Sequence, residues 1–158
     1  MIREIDTSDF DFKEKVLVCI TAQSNSKRLI DAGAVVASEC SGELHILHVQ
    51  KGDTIFNDSE TLSLLQRLFV YGSDKGGMVH AFCEDDISGS IARFVEEEKV
   101  TKLVMGELPE AMRKQLGKNH RENQFQRILD GLPKNVQTVI IKRTEKEIER
   151  DAAKRQII

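Results

Sequence analysis

The chain has 158 residues, 40% of them hydrophobic and 31% charged, with a formal net charge of -3 and both signs spread along its length. That length favours one domain around one sizeable core. The charge balance and the 5% aromatic content, without tryptophan, supply neither a basic face nor a base-stacking platform for nucleic acid, and no apolar run approaches the about 18 residues of a membrane span.

The N-terminal stretch MIREIDTSDFDFK is acidic and mixed, unlike a secretory leader, and residues 1–13 are read as an extension. Residues 15–21, KVLVCIT, form a short β-branched apolar run that predicts a buried strand. In the segment that follows, Leu29, Gly33, Val36, Ala37 and Cys40 recur at helical spacing; Ser24 or Ser26 caps the start and Gly42 ends the helix. ELHILHVQ, 43–50, is a second strand. Residues 57–72 give a second helix, with Asn57 and Glu60 at capping-box spacing and Leu62, Leu65 and Phe69 along one face. GMVHAFCE, 77–84, is the third strand. Asp86 caps a third helix that runs to Val100, with Ile87, Ile91, Phe94 and Val95 facing inward. KLVMGE, 102–107, is the fourth strand, and a fourth helix spans about Asn119 to Leu132 on a stripe of Phe125, Ile128, Leu129 and Leu132. VQTVIIK, 136–142, is the fifth strand; residues 143–158 form a charged, weakly helical tail with an (i, i+4) pair of Asp151 and Arg155.

Five strands alternating with four helices predict a single-domain α/β fold over residues 14–142, its parallel sheet covered by helices on both faces. In such folds the ligand crevice lies beyond the carboxyl ends of the strands, which selects the loops after Ile20, Val49, Cys83 and Met105. Cys19, Cys40 and Cys83 lie far apart in apolar contexts without metal-ligand spacing, as expected of reduced core thiols in a cytoplasmic protein. His45 and His48, three apart on one strand, point to opposite faces and do not share a metal; His80 packs in the third strand. Asp85 and Asp86 could face a cation, but a helix cap accounts for Asp86. No nucleophile elbow and no metal cluster is present.

The run VLVCIT…SKRLIDAGAVVASECSGELHILHV, with the later IARFVEEEKVTKLVMGE, resembles the universal stress protein family, most of all the stress-protein module of sensor kinases of the potassium-uptake (Kdp) type. The resemblance covers about residues 14–142. It implies a flavodoxin-like strand order 3-2-1-4-5, a homodimer paired through the last strand, and an ATP or AMP site at the strand ends. Nucleotide-binding members carry Gly-x2-Gly-x9-Gly-[Ser/Thr] after the fourth strand, where glycine backbone N–H groups and a hydroxyl hold phosphate. Here the spacing survives as Gly106, Pro109, Asn119 and His120. Pro109 has no N–H to donate, Asn119 substitutes in part by capping, and His120 replaces the hydroxyl. Glu107 and Glu110 add negative charge, which Arg113, Lys114 and Lys118 oppose.

Where ATP-binding members place an acidic residue at the end of the first strand, this chain has Thr21, Ala22 and Gln23. Some Kdp-type modules take cyclic di-AMP through Ser-x-Ser and an aromatic second strand; here Ser24 and Ser26 are out of register with that motif, Thr21 and Gln23 fall at its serines, and Leu44 and His48 stand for the aromatics. The site residues implied are Thr21, Ala22, Ser24, Ser26, His48, Val49, Met105, Gly106, Pro109, Asn119 and His120. The leading reading is a non-enzymatic, dimeric stress-response protein with an altered nucleotide pocket and an unidentified protein partner. The alternative is a sensor of AMP, ATP or a cyclic dinucleotide. Slow ATP hydrolysis ranks third, because no residue is placed as a clear general base.

Overall fold

The computed structural model describes residues 14–21, 25–52, 59–107 and 124–142. Five strands, β1 Lys15–Cys19, β2 Glu43–Gln50, β3 Met78–Cys83, β4 Lys102–Gly106 and β5 Gln137–Ile141, form one parallel sheet of order β3-β2-β1-β4-β5. Between them run α1 Ser26–Cys40, α2 Ser59–Asp74, α3 Ile87–Glu97 and α4 Gln124–Asp130. The α/β class and the strand order expected from the sequence are both found.

β1 explains the architecture. Its neighbours are β2 on one side and β4 on the other, with Val18 opposite both Ile46 and Val104. A central strand covered on both faces needs apolar side chains at every position, and Val16, Leu17 and Val18 are fully buried. Alternate residues then feed two cores. Val16, Val18 and Ile20 pack with Ile46, Val104 and the inner faces of α1 and α2. Leu17 packs with Leu47, Leu103, Met105 and the α3–α4 layer.

Several local expectations are corrected. α1 is not capped by the Ser26 side chain: Asn25 occupies the cap position without a side-chain capping bond, and Ser24 lies outside the described residues. At the other end the left-handed residue is Ser41 (φ 54°), one place before Gly42. The Ser41 N–H donates to the Ser38 carbonyl and the Gly42 N–H to the Ala37 carbonyl, closing a Schellman turn. Gly42 is needed for a different reason, since a Cβ there would lie 2.6 Å from the Glu14 carbonyl oxygen. α2 buries Leu68 beside Leu65, while Leu62 and Phe69 are half-buried; Asn57 lies outside the described residues. The Asp86 carboxylate accepts from the Gly89 N–H at 3.0 Å, as expected of a cap. α3 stops at Glu97, short of Val100, because Lys99 turns left-handed (φ 56°). Cys83 is exposed rather than in the core, since β3 is an edge strand; Cys19 and Cys40 are half-buried and all three thiols are free.

α1 approaches β1 closely. A Cβ on Gly33 would sit 2.1 Å from Cγ2 of Val18, a stiff β-branched side chain with no room to retreat. Gly33→Ala is therefore expected to destabilise the fold by about 1–3 kcal/mol through overpacking. That exceeds the about 1 kcal/mol that alanine gains over glycine in a helix. A lower urea midpoint at unchanged slope is the expected readout.

Candidate functional site

The strand order places the carboxyl ends of β2, β1 and β4 side by side, and with them Thr21, His48, Val49, Met105 and Gly106. Ala22, Gln23, Ser24, Pro109, Asn119 and His120, with Glu110, Arg113, Lys114 and Lys118, lie outside the described residues. The described rim therefore comprises the strand ends and the first turn of α1.

Two of its polar side chains are committed to the fold. Ser26, with no exposed surface, donates its hydroxyl to the Thr21 carbonyl at 2.7 Å and accepts from the Thr21 N–H at 3.2 Å. This reciprocal bond joins the end of β1 to the start of α1 and leaves the hydroxyl little capacity for a ligand. The His48 ring is 5% exposed. Its Nδ1–H donates to the Ile20 carbonyl at 3.0 Å, and Nε2 meets the Gln50 side-chain amide at 2.9 Å. The His48 imidazole is thus held at both nitrogens within the core.

The rest of the strand-end rim is mixed, and the first turn of α1 adds Lys27 and Arg28. Met105 is buried, Val49 is half-buried, and Thr21 is exposed. Gly106 ends β4 with its Cα facing Leu29 of α1: a Cβ would lie 3.4 Å from Leu29 Cδ1, a tight but ordinary contact. The next N–H, of Glu107, is donated to the Ile141 carbonyl. Burial pushes the Cys19 thiol up to about 12, so at neutral pH this group at the end of β1 is a protonated, poorly nucleophilic thiol.

Basic groups cluster on α1. Lys27 Nζ stands 4.7 Å from the centre of the Tyr71 ring, and Arg28 Nη1 donates to the Lys142 carbonyl at 2.5 Å. The latter bond holds the α1 start against the end of β5. The Tyr71 hydroxyl donates to Asp31, and that carboxylate beside it raises the phenol above its usual pKa.

A second constellation was not read from the sequence. His45 and His80 stack with ring centroids 5.4 Å apart, and Phe94 of α3 sets its edge against His80 at 4.7 Å. The Glu43 carboxylate accepts the Nε2–H of His45 at 3.2 Å. His45 Nδ1 is then bare and accepts the Nε2–H of His80 at 3.1 Å. The signal that would have found it is register. His80 lies opposite Leu47, so His45 is its diagonal neighbour on one face. His48 points to the other face, as expected.

Desolvation, and then the neighbouring His45, lower the His80 pKa, while Glu98 works the other way. Lys15, 4.0 Å from Glu43 and 3.8 Å from Glu98, completes the local charge set. Among the described residues no group of three or more His, Cys, Asp or Glu side chains is arranged to hold a metal. A cleft of about 410 Å³ lies at the opposite end of the sheet, between the last turn of α1 and the start of β3, where Ser38, Ser41, Glu43, Lys75 and Met78 line it. It is not the crevice that the strand topology selects.

No family model matches the chain. The sensor protein KdpD of Mycobacterium tuberculosis is 29% identical over 100 residues, 63% of this chain and 11% of that protein. A putative KdpD sensor protein of Synechocystis is 28% identical over 94 residues, 60% of this chain and 25% of that one. The chain thus spans about a tenth to a quarter of the curated relatives that it matches. Among solved structures, a universal stress protein from Archaeoglobus fulgidus superposes with a TM-score of 0.62 at 15% identity, covering 87% of this chain and 100% of that one. A universal stress protein from the same organism in complex with dAMP superposes at 0.58 and 14% identity, covering 83% and 98%. One in complex with cAMP superposes at 0.58 and 13%, covering 81% and 95%. The fold is that of the universal stress proteins, and the resemblance read from the sequence, Kdp-type sensors included, is borne out.

Two outcomes are expected from this geometry. Ser26→Ala leaves the Thr21 N–H without its acceptor and should cost about 1–2 kcal/mol in chemical denaturation. The folded-state pKa of His80 is depressed from 6.5, so as pH falls the unfolded chain protonates first. The stability this neutral ring contributes is complete above about 6.5 and is lost as pH falls through the lower, folded-state value. His80→Gln should flatten the fall in Tm between about pH 7.5 and about pH 5.

Proposed function

We propose that the chain is a non-enzymatic regulatory module of the universal stress protein type, whose strand-end crevice is an altered nucleotide pocket. The observation that carries this reading is the commitment of Ser26 and His48 to the fold, which removes two polar groups from the rim. The sequence beyond Gly106 points the same way, since Pro109 has no N–H and Glu107 and Glu110 add negative charge. The KdpD relatives favour a signalling context in which the module acts through protein contacts, with residues 1–13 and 143–158 flanking the 14–142 domain. The family resemblance adds a homodimer through β5, where Ile140 is 37% exposed. Ile140→Lys should weaken that pairing, read as a smaller sedimentation coefficient for a protein of unchanged circular dichroism.

The second reading is a sensor of AMP, ATP or cyclic di-AMP. It is favoured by Gly106, which keeps side-chain bulk away from the end of β4, and by the neighbouring folds in complex with cAMP and dAMP. Thermal unfolding with roughly millimolar ATP, AMP and cyclic di-AMP, each with Mg²⁺, separates the two. A ligand at about 100 times its Kd stabilises by about 2.7 kcal/mol. The altered-pocket reading expects no shift with any of the three. A shift with one nucleotide that Gly106→Val removes, while the fold is retained, would install the sensor reading instead.

A further inference from the structure

A strand is anchored by the side chains it sends into the layers above and below the sheet, and β3 sends few. Of its six residues only His80 is not exposed. β3 ends the sheet order and, among the described strands, pairs with β2 alone. On one face Val79 lies beside Gly72 of α2, where a Cβ would be 3.7 Å from Val79 Cγ1. On the other face His80 reaches α3 and β2 together. Its ring centre is 4.7 Å from that of Phe94, which packs in the core with Leu17, Leu47 and Leu103. Its Nε2–H is donated to Nδ1 of His45, a ring only 1% exposed. Phe82, also on this face, stands farther off, 6.2 Å from Phe94. His80 is thus the deepest tie between β3 and the α3 side of the sheet.

The direction of that bond is set from its far end. Glu43 accepts the Nε2–H of His45, so His45 keeps Nδ1 bare for the hydrogen of His80. His80 makes the bond as a neutral ring. A proton added to it in place would set an imidazolium against Phe94 and the buried His45, shielded from water. The charged and titratable groups on this side are Glu43 and His45 of β2, Lys15 of β1, and Glu98 just after α3. Lys15 lies 4.0 Å from Glu43 and 3.8 Å from Glu98, which offsets part of both carboxylates. At the strand end Glu84 pairs with Arg93 of α3 at 3.9 Å, and on the α2 side Lys75 pairs with Asp31 at 3.8 Å. Glu98 favours a charged His80, but desolvation and His45 outweigh it and lower the pKa of the ring.

We propose that the His45–His80 bond is an acid-released latch that holds the edge strand β3 to the α3 side of the sheet. When β3 lifts, His80 meets water and binds a proton more readily than it does in place. Acid therefore draws the equilibrium toward the lifted strand. The latch is fully held above about pH 6.5, the ordinary histidine value, and is lost as pH falls through the lower value of the closed state. Lifting β3 leaves β2, β1, β4 and β5 joined, so the event is a local opening and not the unfolding of the chain. It is independent of the strand-end crevice and of nucleotide binding.

The test is native-state amide exchange of the whole chain, followed by NMR at low urea concentrations. Amides of β3, and the Glu84 N–H that is donated to the Gln50 carbonyl at 3.0 Å, should exchange through an opening with a smaller urea dependence than amides of β1 and β4. Protection of the β3 amides should fall at least about threefold between about pH 7.5 and about pH 5.5. In the same unsubstituted protein the His80 ring should titrate below about 6.5. His80→Gln keeps a neutral donor toward His45 and should abolish the fall in β3 protection while the local opening persists. The latch is ruled out if β3 amides exchange only with the whole molecule, at the urea slope of β1. It is also ruled out if their local protection does not change with pH, if folded His80→Gln protein keeps the fall, or if the His80 ring titrates at or above about 6.5. Three of these four outcomes are read on the unsubstituted chain and do not depend on the variant folding.

Discussion

Helix α1 lies so close to β1 that a Cβ on Gly33 would collide with Cγ2 of Val18 at 2.1 Å. Val18 is fully buried at the centre of the sheet, flanked by Ile46 and Val104. This contact sets the spacing of the first layer, and other features follow from it. With α1 so placed, Ser26 at its start can bridge back to Thr21, and Arg28 can reach the end of β5 at Lys142. One small residue thus brings the α1 start to the ends of β1 and β5, the rim where a ligand of this fold would sit. A larger residue at 33 would push the helix outward and loosen all three.

At the carboxyl ends of the strands, two polar side chains are tied to the backbone of the sheet. Burial of Ser26 and His48 demands partners for their polar atoms, because an unpaired polar group in the core is costly. Both found them in the backbone of the β1 end: Thr21 for the serine and Ile20 for the histidine. The same bonds that satisfy burial withdraw these groups from solvent. What is left at the described rim is backbone, Thr21, buried Met105, the glycine at 106, and the basic Lys27 and Arg28 at the start of α1.

The two faces and the two edges of the sheet are not equivalent. The inner strands are apolar on both sides and close the two cores. At β3 the helical layers cover less of the sheet, so the same kind of apolar strand is left exposed. His45 and His80 occupy the transition. They lie between the buried centre and the open edge, with Glu43 and Lys15 at one end of the chain of bonds and Phe94 over the other. The pairing suits that position, since His45 can donate to Glu43 and accept from His80 without either bond requiring a buried positive charge.

Alternation of apolar runs with 3.6-residue stripes was enough to determine nine elements and their class. Residues such as Asp86, whose cap is a local bond within three positions, were equally legible. The family likeness supplied the strand order that periodicity alone does not contain. What tertiary structure alone decided is every property that depends on which elements meet. Cys83 is exposed because β3 ends the sheet; Ser26 bonds a strand rather than capping its helix; Ile30 and Leu68 entered the core through the approach of α1 and α2. The His45–His80 pair depends on parallel register, which joins residues 35 positions apart in the chain. Local sequence carries local hydrogen bonding and periodicity; partners distant in sequence are chosen when the layers pack, and there the polar side chains acquire their roles.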